Sequence, residues 1–175
     1  MTFSLYAATI PSYQQIVGAV DALVDKAVAW CAETGTNESD LIMARLVDDM
    51  LPFAYQVKSV AEHSVGAIEG VRAGNYSPDT GPFPMDFAGL KAKLANAQAF
   101  LAAHDPAEIN GFIGRDMQFS FGTAVMPFTA ENFLLSFAQP NFYFHATTAY
   151  DILRHQGVAI GKRDYLGKPR IKMPA

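Results

Sequence analysis

Hydrophobic residues recur every three or four positions in four stretches of the chain. This is the period of one face of an α-helix, so the pattern predicts four long amphipathic helices. Their limits, read from the apolar stripe and the flanking glycine, proline and capping residues, are Ser4–Glu33, Leu51–Arg72, Asp86–His104 and Thr129–Gly157. Pro11 and Pro140 lie inside the first and last helices, where the missing backbone N–H predicts a bend or a restart.

The connection between the third and fourth helices follows a different period. Apolar and polar residues alternate over Met117–Phe121, which is typical of a half-exposed strand. Gly122 and Thr123 then provide a turn, and Val125–Phe128 can return as a partner strand. Because an isolated hairpin is marginally stable in water, we expect it to lie on the helices with its phenylalanines inward. Asn75–Pro84 contains three prolines and a glycine, so it is expected to be a loop.

Composition supports a folded helical domain. The chain has 175 residues, of which 50% are hydrophobic and 17% charged, a balance that favours a compact globule over disorder. Four long amphipathic helices, with one long connection between the third and fourth that contains a small β-hairpin, predict an all-α four-helix bundle in a single domain, residues 1–175. Residues 160–175 are rich in Lys and Arg and show no helix pattern, so they are expected to form a solvated C-terminal arm.

Charge and sequence signals point to a cytoplasmic protein. The formal net charge of −4 gives no general attraction to nucleic acid. No apolar run reaches the roughly 18 residues that a membrane span needs, and the first residues show no export signal. Cys31 is the only cysteine, which excludes an intrachain disulfide and favours a reducing compartment. We therefore expect no nucleic-acid partner and no membrane partner.

Two histidines are the strongest candidates for chemistry. His63 lies midway along the second helix and His145 midway along the fourth, and such positions can face each other across a bundle. Imidazoles there suit a divalent metal such as zinc or nickel, but the position for a third ligand, four residues after His145, is Ala149. The alternatives are a structural role for both rings, a metal site completed by water or by Glu62 or Asp151, and a metal-free pocket.

Aromatic and amide side chains near these histidines predict a pocket. Tyr55 and Gln56 share the second helix with His63, and Tyr150 shares the fourth with His145. Aromatic residues at helical spacing usually belong to the core, but with a few polar groups they also form small-molecule sites. We therefore expect a pocket of these five residues and no cofactor, with a divalent metal as the alternative.

The other two histidines are not expected to join this site. His155 is ten residues beyond His145 and rotated away on the same helix, so the two cannot readily share one ion. His104 ends the third helix and is expected to face solvent. No glycine-rich phosphate loop and no nucleophile elbow occur in the sequence.

Several segments resemble a known family. The string AQPNFYFHATTAYDILRHQGVAIGKRDYLG, together with DDMLPFAYQVKSV, AIEGVRAG and GTAVMPFTAENFLLSF, is similar to an uncharacterised, largely bacterial family related to the DinB/YfiT-like superfamily. The resemblance implies an up-down-down-up four-helix bundle that is commonly dimeric. Many members of this superfamily hold a divalent metal with one histidine on the second helix and an H-x-x-x-H pair on the fourth, and the resemblance implies a site of this kind.

The resemblance also implies a choice between two functions. Some superfamily members are thiol-dependent transferases or hydrolases that use bacillithiol or mycothiol. By position, His63 and His145 match two of the ligands, and Ala149 stands where the third should be. The expectation is therefore a homodimeric DinB-like protein that binds a small molecule or acts as an interaction module without a complete metal triad. The alternative is a divalent-metal-dependent enzyme of the thiol-transferase or hydrolase type with its site at His63 and His145.

Overall fold

Four long helical stretches carry most of residues 3–172, the part of the chain that the computed structural model describes. The helices there are α1 Leu5–Thr34, α2 Glu38–Ile42, α3 Phe53–Ala61, α4 Ala67–Ala73, α5 Phe87–Ala102, α6 Pro106–Asn110, α7 Ala130–Asn132, α8 Gln139–His155 and α9 Lys162–Leu166. Two π-helical segments, Glu62–Gly66 and Phe133–Ala138, join α3 to α4 and α7 to α8. None of the described helices combines the length and hydropathy that a membrane span requires.

The two prolines inside helices have different effects. α1 continues through Pro11 without interruption and ends at Gly35, whose φ of 70° suits glycine at a helix C-terminus. The predicted restart is therefore wrong at Pro11. Near Pro140 the helix also continues, since Ala138 and Gln139 keep right-handed helical dihedral angles, but its hydrogen bonding changes there from π-helical to α-helical. Pro140 therefore follows directly on a π-helical segment, and prolines and π turns are both common causes of a helix bend.

The core forms where the four long stretches meet. α1 packs against α5 and α8, and α3 packs against the same two helices. Tyr13 of α1 and Phe142 of α8 are fully buried and meet edge to face, with ring centroids 4.8 Å apart. Burying the Phe142 side chain contributes about 1.5–3 kcal/mol of transfer free energy. The predicted stripe of the third helix corresponds to a buried face, since Leu90, Leu94, Ala97 and Leu101 of α5 are all buried.

A small three-stranded sheet lies beside the helices. Its strands are β1 Asn75–Tyr76, β2 Asp116–Phe121 and β3 Ala124–Thr129, in the order β1-β2-β3. β2 and β3 form the predicted antiparallel hairpin, whereas β1 pairs with β2 in parallel and replaces the start of the predicted loop. The chain is thus mostly helical with a small sheet.

The phenylalanines of β2 do not all point inward. Phe119 is buried, as predicted, but Phe121 is 56% exposed, so that part of the prediction is wrong. Phe121 is the last residue before the turn, where it borders a surface cavity instead of the helical core.

Close packing brings β1 against α4. A Cβ placed on Gly70 of α4 would lie 2.7 Å from the Cβ of Tyr76, so only glycine allows this approach. Tyr76 is buried as a result, and its hydroxyl points toward His63.

The predicted C-terminal arm is partly structured. α9 packs against α1, where Lys26 and Asp164 form an ion pair of 2.8 Å and the Gln15 amide donates to the Leu166 carbonyl. Lys162–Leu166 is thus helical and held to α1, which the sequence pattern did not predict, although none of its residues is buried. Residues 173–175 of the predicted arm lie outside the described residues.

Candidate functional site

His63 lies in the π-helical segment Glu62–Gly66. A π turn contains one residue more than an α turn, so it changes the direction of the side chains that follow. The buried Ser64 hydroxyl contacts the carbonyl oxygens of Val60 and Ala61, at 2.9 and 3.0 Å, and donates within this turn. Local backbone geometry, supported by Ser64, thus places His63 where it faces α8.

His63 and His145 meet as a stacked pair. Their ring centroids are 5.2 Å apart and their planes differ by 15°. The prediction that the two helices bring these side chains together is consistent with this geometry. The contact joins the middle of the second predicted helix to the middle of the fourth.

A buried amide fixes the tautomer of His145. Gln56 is 2% exposed; its Nε2 donates to the Leu51 carbonyl at 2.8 Å, and its Oε1 lies 2.7 Å from His145 Nδ1. Because Gln56 presents an acceptor, His145 Nδ1 must carry the hydrogen. His145 Nε2 is therefore unprotonated and can accept a hydrogen bond.

Both imidazoles are neutral at pH 7. Burial lowers the pKa of His63 to about 4. Burial and, to a smaller extent, the charge of His63 lower the pKa of His145 to about 4. The Tyr76 hydroxyl lies 3.5 Å from His63 Nδ1, and burial raises its pKa, so Tyr76 also stays neutral. The site consequently offers hydrogen-bonding groups without net charge.

The histidine pair borders a cavity of about 300 Å³. Phe119 and Phe137 form one wall, with ring centroids 4.8 Å apart, and Tyr55 and Asn141 contribute further lining. Such a volume is at the lower end of the range for ligand pockets, and mostly apolar walls with a few polar groups are typical of them. The arrangement can therefore hold a small organic molecule.

A buried lysine that the sequence analysis missed positions the remaining wall. Lys58 is 1% exposed, and its Nζ lies 3.0 Å from the Asp79 carbonyl, 2.7 Å from the Gly81 carbonyl and 2.9 Å from Asp79 Oδ2. The hydrogen bond from Lys58 lowers the pKa of Asp79, which therefore stays ionised. Pro78, Asp79 and Thr80, in the loop held by Lys58, line the cavity. The sequence did contain a signal for this buried lysine, because Lys58 is the single cation within the mostly apolar stretch Val57–Ala61.

Not every predicted pocket residue is at the cavity. Tyr55, His63 and His145 line it, and Gln56 lies behind His145. Tyr150 instead packs against Tyr165 of α9, with ring centroids 6.0 Å apart, so its placement in the pocket is wrong. Five residues along a helix correspond to a rotation of about 140°, which turns Tyr150 away from the direction of His145.

The residues present do not fit the three-ligand metal site that the resemblance implies. Ala149 is fully buried, Asp151 is exposed and Glu62 pairs with Lys93 at 3.2 Å. Within residues 3–172, His, Cys, Asp and Glu side chains form no group of three or more that could hold one ion. Two imidazoles alone fall short of the three protein ligands that catalytic zinc sites use.

The remaining histidines lie elsewhere. His155 is exposed near the end of α8. The His104 side chain is only 6% exposed, so the prediction that it faces solvent is wrong. It packs edge to face on Phe100, with centroids 4.5 Å apart, and its Nδ1 lies 3.2 Å from Glu108 of α6. The short helix α6, which follows Asp105, covers this ring.

Comparison with known proteins defines the class and then the family. The crystal structure of a DinB family member protein from Shewanella denitrificans is similar to this chain, with a TM-score of 0.81 and 28% sequence identity. The similarity covers 97% of this chain and 96% of that chain. The profile of a family described as a domain of unknown function, DUF1993, matches residues 5–166, and the chain belongs to this family. No curated protein matches. The resemblance to an uncharacterised DinB-like family is thereby confirmed.

Proposed function

We propose that the chain is a single DinB-like domain, residues 1–175, that binds a small organic molecule in the cavity at His63 and His145. The proposed architecture is an up-down-down-up four-helix bundle, supported by the contacts of α1 and α3 with both α5 and α8. We further propose that it acts in the cytoplasm without nucleic-acid or membrane partners, in keeping with its net charge of −4.

One observation carries the binding proposal. The two stacked imidazoles are neutral, and Gln56 fixes His145 so that one ring nitrogen remains an acceptor beside an aromatic cavity. A purely structural pair would be expected to have its polar atoms satisfied by the protein. His145 Nε2 has no partner among the described residues and is not sealed from solvent. A ligand can therefore make the hydrogen bond that the fold leaves open.

Metal binding is the outcome that would support the alternative enzyme. Protein purified without a histidine tag should take up less than one equivalent of ZnCl2 or NiCl2 after dialysis, and His63→Ala should not change that amount. The reason is the incomplete donor set around His63 and His145. Elemental analysis of both proteins provides the measurement.

The exposed His155→Ala variant is the matched control, because it removes an imidazole far from the cavity. One equivalent of metal in the wild type and the control, lost in His63→Ala, would contradict the proposal and favour a metal-dependent transferase or hydrolase.

We also propose that the protein is a homodimer. Several large apolar side chains are exposed on the hairpin and on α8 near the cavity, namely Phe121, Val125, Met126 and Phe144. Exposed apolar surface of this kind is often a protein–protein contact. Light scattering should therefore give about twice the monomer mass of 19.0 kDa. Replacing Phe144 by Glu should shift the mass toward the monomer, and a wild-type monomer at high concentration would disprove the dimer.

A further inference from the structure

One hydrogen-bond acceptor in the cavity, His145 Nε2, has its identity fixed by Gln56. Gln56 is anchored on the Leu51 carbonyl, so its Oε1 keeps the hydrogen of His145 on Nδ1. While His145 is neutral, Nε2 is then an acceptor, because the other tautomer would turn the Nδ1 lone pair toward Gln56 Oε1. A ligand that donates a hydrogen bond to this nitrogen gains the interaction, whereas a ligand that places an acceptor there meets a repulsive lone pair.

The cavity has no charge available for an ionic ligand. Asp79 is the only carboxylate among its lining residues, and it is paired with Lys58. The Lys58 ammonium makes three contacts with the loop, to two carbonyls and the carboxylate, so its three N–H groups are already used. An ionised ligand would lose hydration without gaining a counter-ion, which is unfavourable in a partly buried site.

The walls of the cavity favour an aromatic ligand. Phe119, Phe121, Phe137 and Tyr55 all line it. Aromatic rings gain from edge-to-face and offset contacts beyond the burial of their area. The cavity of about 300 Å³ has room for a small ring system next to His145.

We propose that the ligand class is an uncharged aromatic compound with one hydrogen-bond donor, such as a phenolic O–H or a ring N–H. The donor binds His145 Nε2, and the ring packs on the wall of Phe119 and Phe137. This inference rests on the proposed binding function and makes it specific. It assigns to Gln56 the role of setting donor specificity through His145, and to Lys58 the role of keeping the cavity free of unpaired charge.

Three probes of similar shape test this proposal. 4-Methylphenol carries a donor, 4-methylanisole replaces the hydroxyl hydrogen with a methyl group, and 4-methylbenzoate is an anion at pH 7.5. Titrations followed by ¹H–¹⁵N spectra should show shifts at Thr80, Asn141 and His145 amides. The phenol should bind about fivefold more tightly than the anisole, which corresponds to one net hydrogen bond. The benzoate should bind most weakly.

Variants show whether His145 causes the preference. In His145→Phe the phenol and the anisole should bind equally, whereas the exposed control His155→Phe should keep the wild-type preference. If His145→Phe does not fold, the imidazole ¹⁵N signals of the wild type provide the same information. His145 Nε2 should be unprotonated, and 4-methylphenol should shift its resonance while 4-methylanisole should not.

Other outcomes would overturn the inference in distinguishable ways. Equal affinity for the phenol and the anisole, with shifts confined to the cavity, would disprove the donor specificity and leave the binding function intact. Tightest binding of the benzoate would do the same. A preference that persists in His145→Phe would show that size and not hydrogen bonding decides it. Absence of cavity shifts with all three probes would count against both the inference and the binding function.

Discussion

Lowering the pH from 7 to 5 should destabilise the fold by about 4 kcal/mol, with His63 and His145 each contributing about 2 kcal/mol. In the unfolded chain a histidine has a pKa near 6.5, whereas both folded pKa values are about 4. The unfolded state therefore binds protons first as the pH falls. The stability that the two neutral histidines contribute is fully present above pH 6.5 and is lost between pH 6.5 and 4. Below pH 4 these two groups cause no further loss.

Urea unfolding at pH 7, 6 and 5 measures this effect. His63→Gln should remove at least half of the pH dependence, because it deletes one titrating ring and relieves the charge that lowers the pKa of His145. His155→Gln is the matched control, because it removes an exposed imidazole outside the cavity. The carboxyl groups of Asp79 and Glu108 have lowered pKa values in the fold, so the stability that they contribute is lost mainly below pH 5, outside the range of this experiment. Equal stability at pH 7 and pH 5 would refute the neutral-pair interpretation.

Replacing Lys58 by methionine should cost about 2 kcal/mol of stability and should loosen the loop that lines the cavity. Methionine keeps most of the buried volume but cannot donate, so two loop carbonyls and the Asp79 carboxylate lose their partner. Removing one partner of a buried charged contact typically costs 3–5 kcal/mol. The expected value is lower here because Asp79 is 46% exposed and water can replace the lysine there.

Lys93→Met is the matched control for this prediction. Lys93 also pairs with a carboxylate, Glu62, but both side chains are about one-third exposed. Such surface pairs contribute roughly 0–1 kcal/mol, so this variant should be close to the wild type. Urea midpoints give the stabilities, and amide hydrogen exchange at Asp79–Gly81 reports on the loop. Equal stability of the two variants, with unchanged exchange in the loop, would show that Lys58 does not hold it.

The elements that depend on local sequence were predictable. Helical periodicity located the four long stretches, and Asp86 caps α5 through a hydrogen bond from the Gly89 amide. The facing positions of His63 and His145 followed from their places on two helices. The helices and their caps depend on residues within one or two turns of each other, so one sequence contains the necessary information, and the facing of the two histidines was expected from the way helices pack in a bundle.

Features that depend on distant partners were not predictable. β1 consists of two residues whose pairing partner, β2, comes about 40 residues later in the chain. Lys58 finds its acceptors in a loop 21 residues away. Tyr150 was assigned to the pocket from its chain distance to His145, although its rotation around α8 turns it toward α9. In each case tertiary packing, which no local pattern encodes, determines the contact.

The π-helical segment Glu62–Gly66 has a consequence for comparing this chain with its relatives. An insertion or deletion of one residue there would turn everything on one side of it by about 100° relative to the other. A relative could keep every side chain of α3 and α4 and still present a different residue to the cavity. Sequence alignments should therefore treat the residues before and after this segment as two separately registered blocks. Changes in its length, and not only substitutions at His63, would mark a change in the side chains that face the cavity.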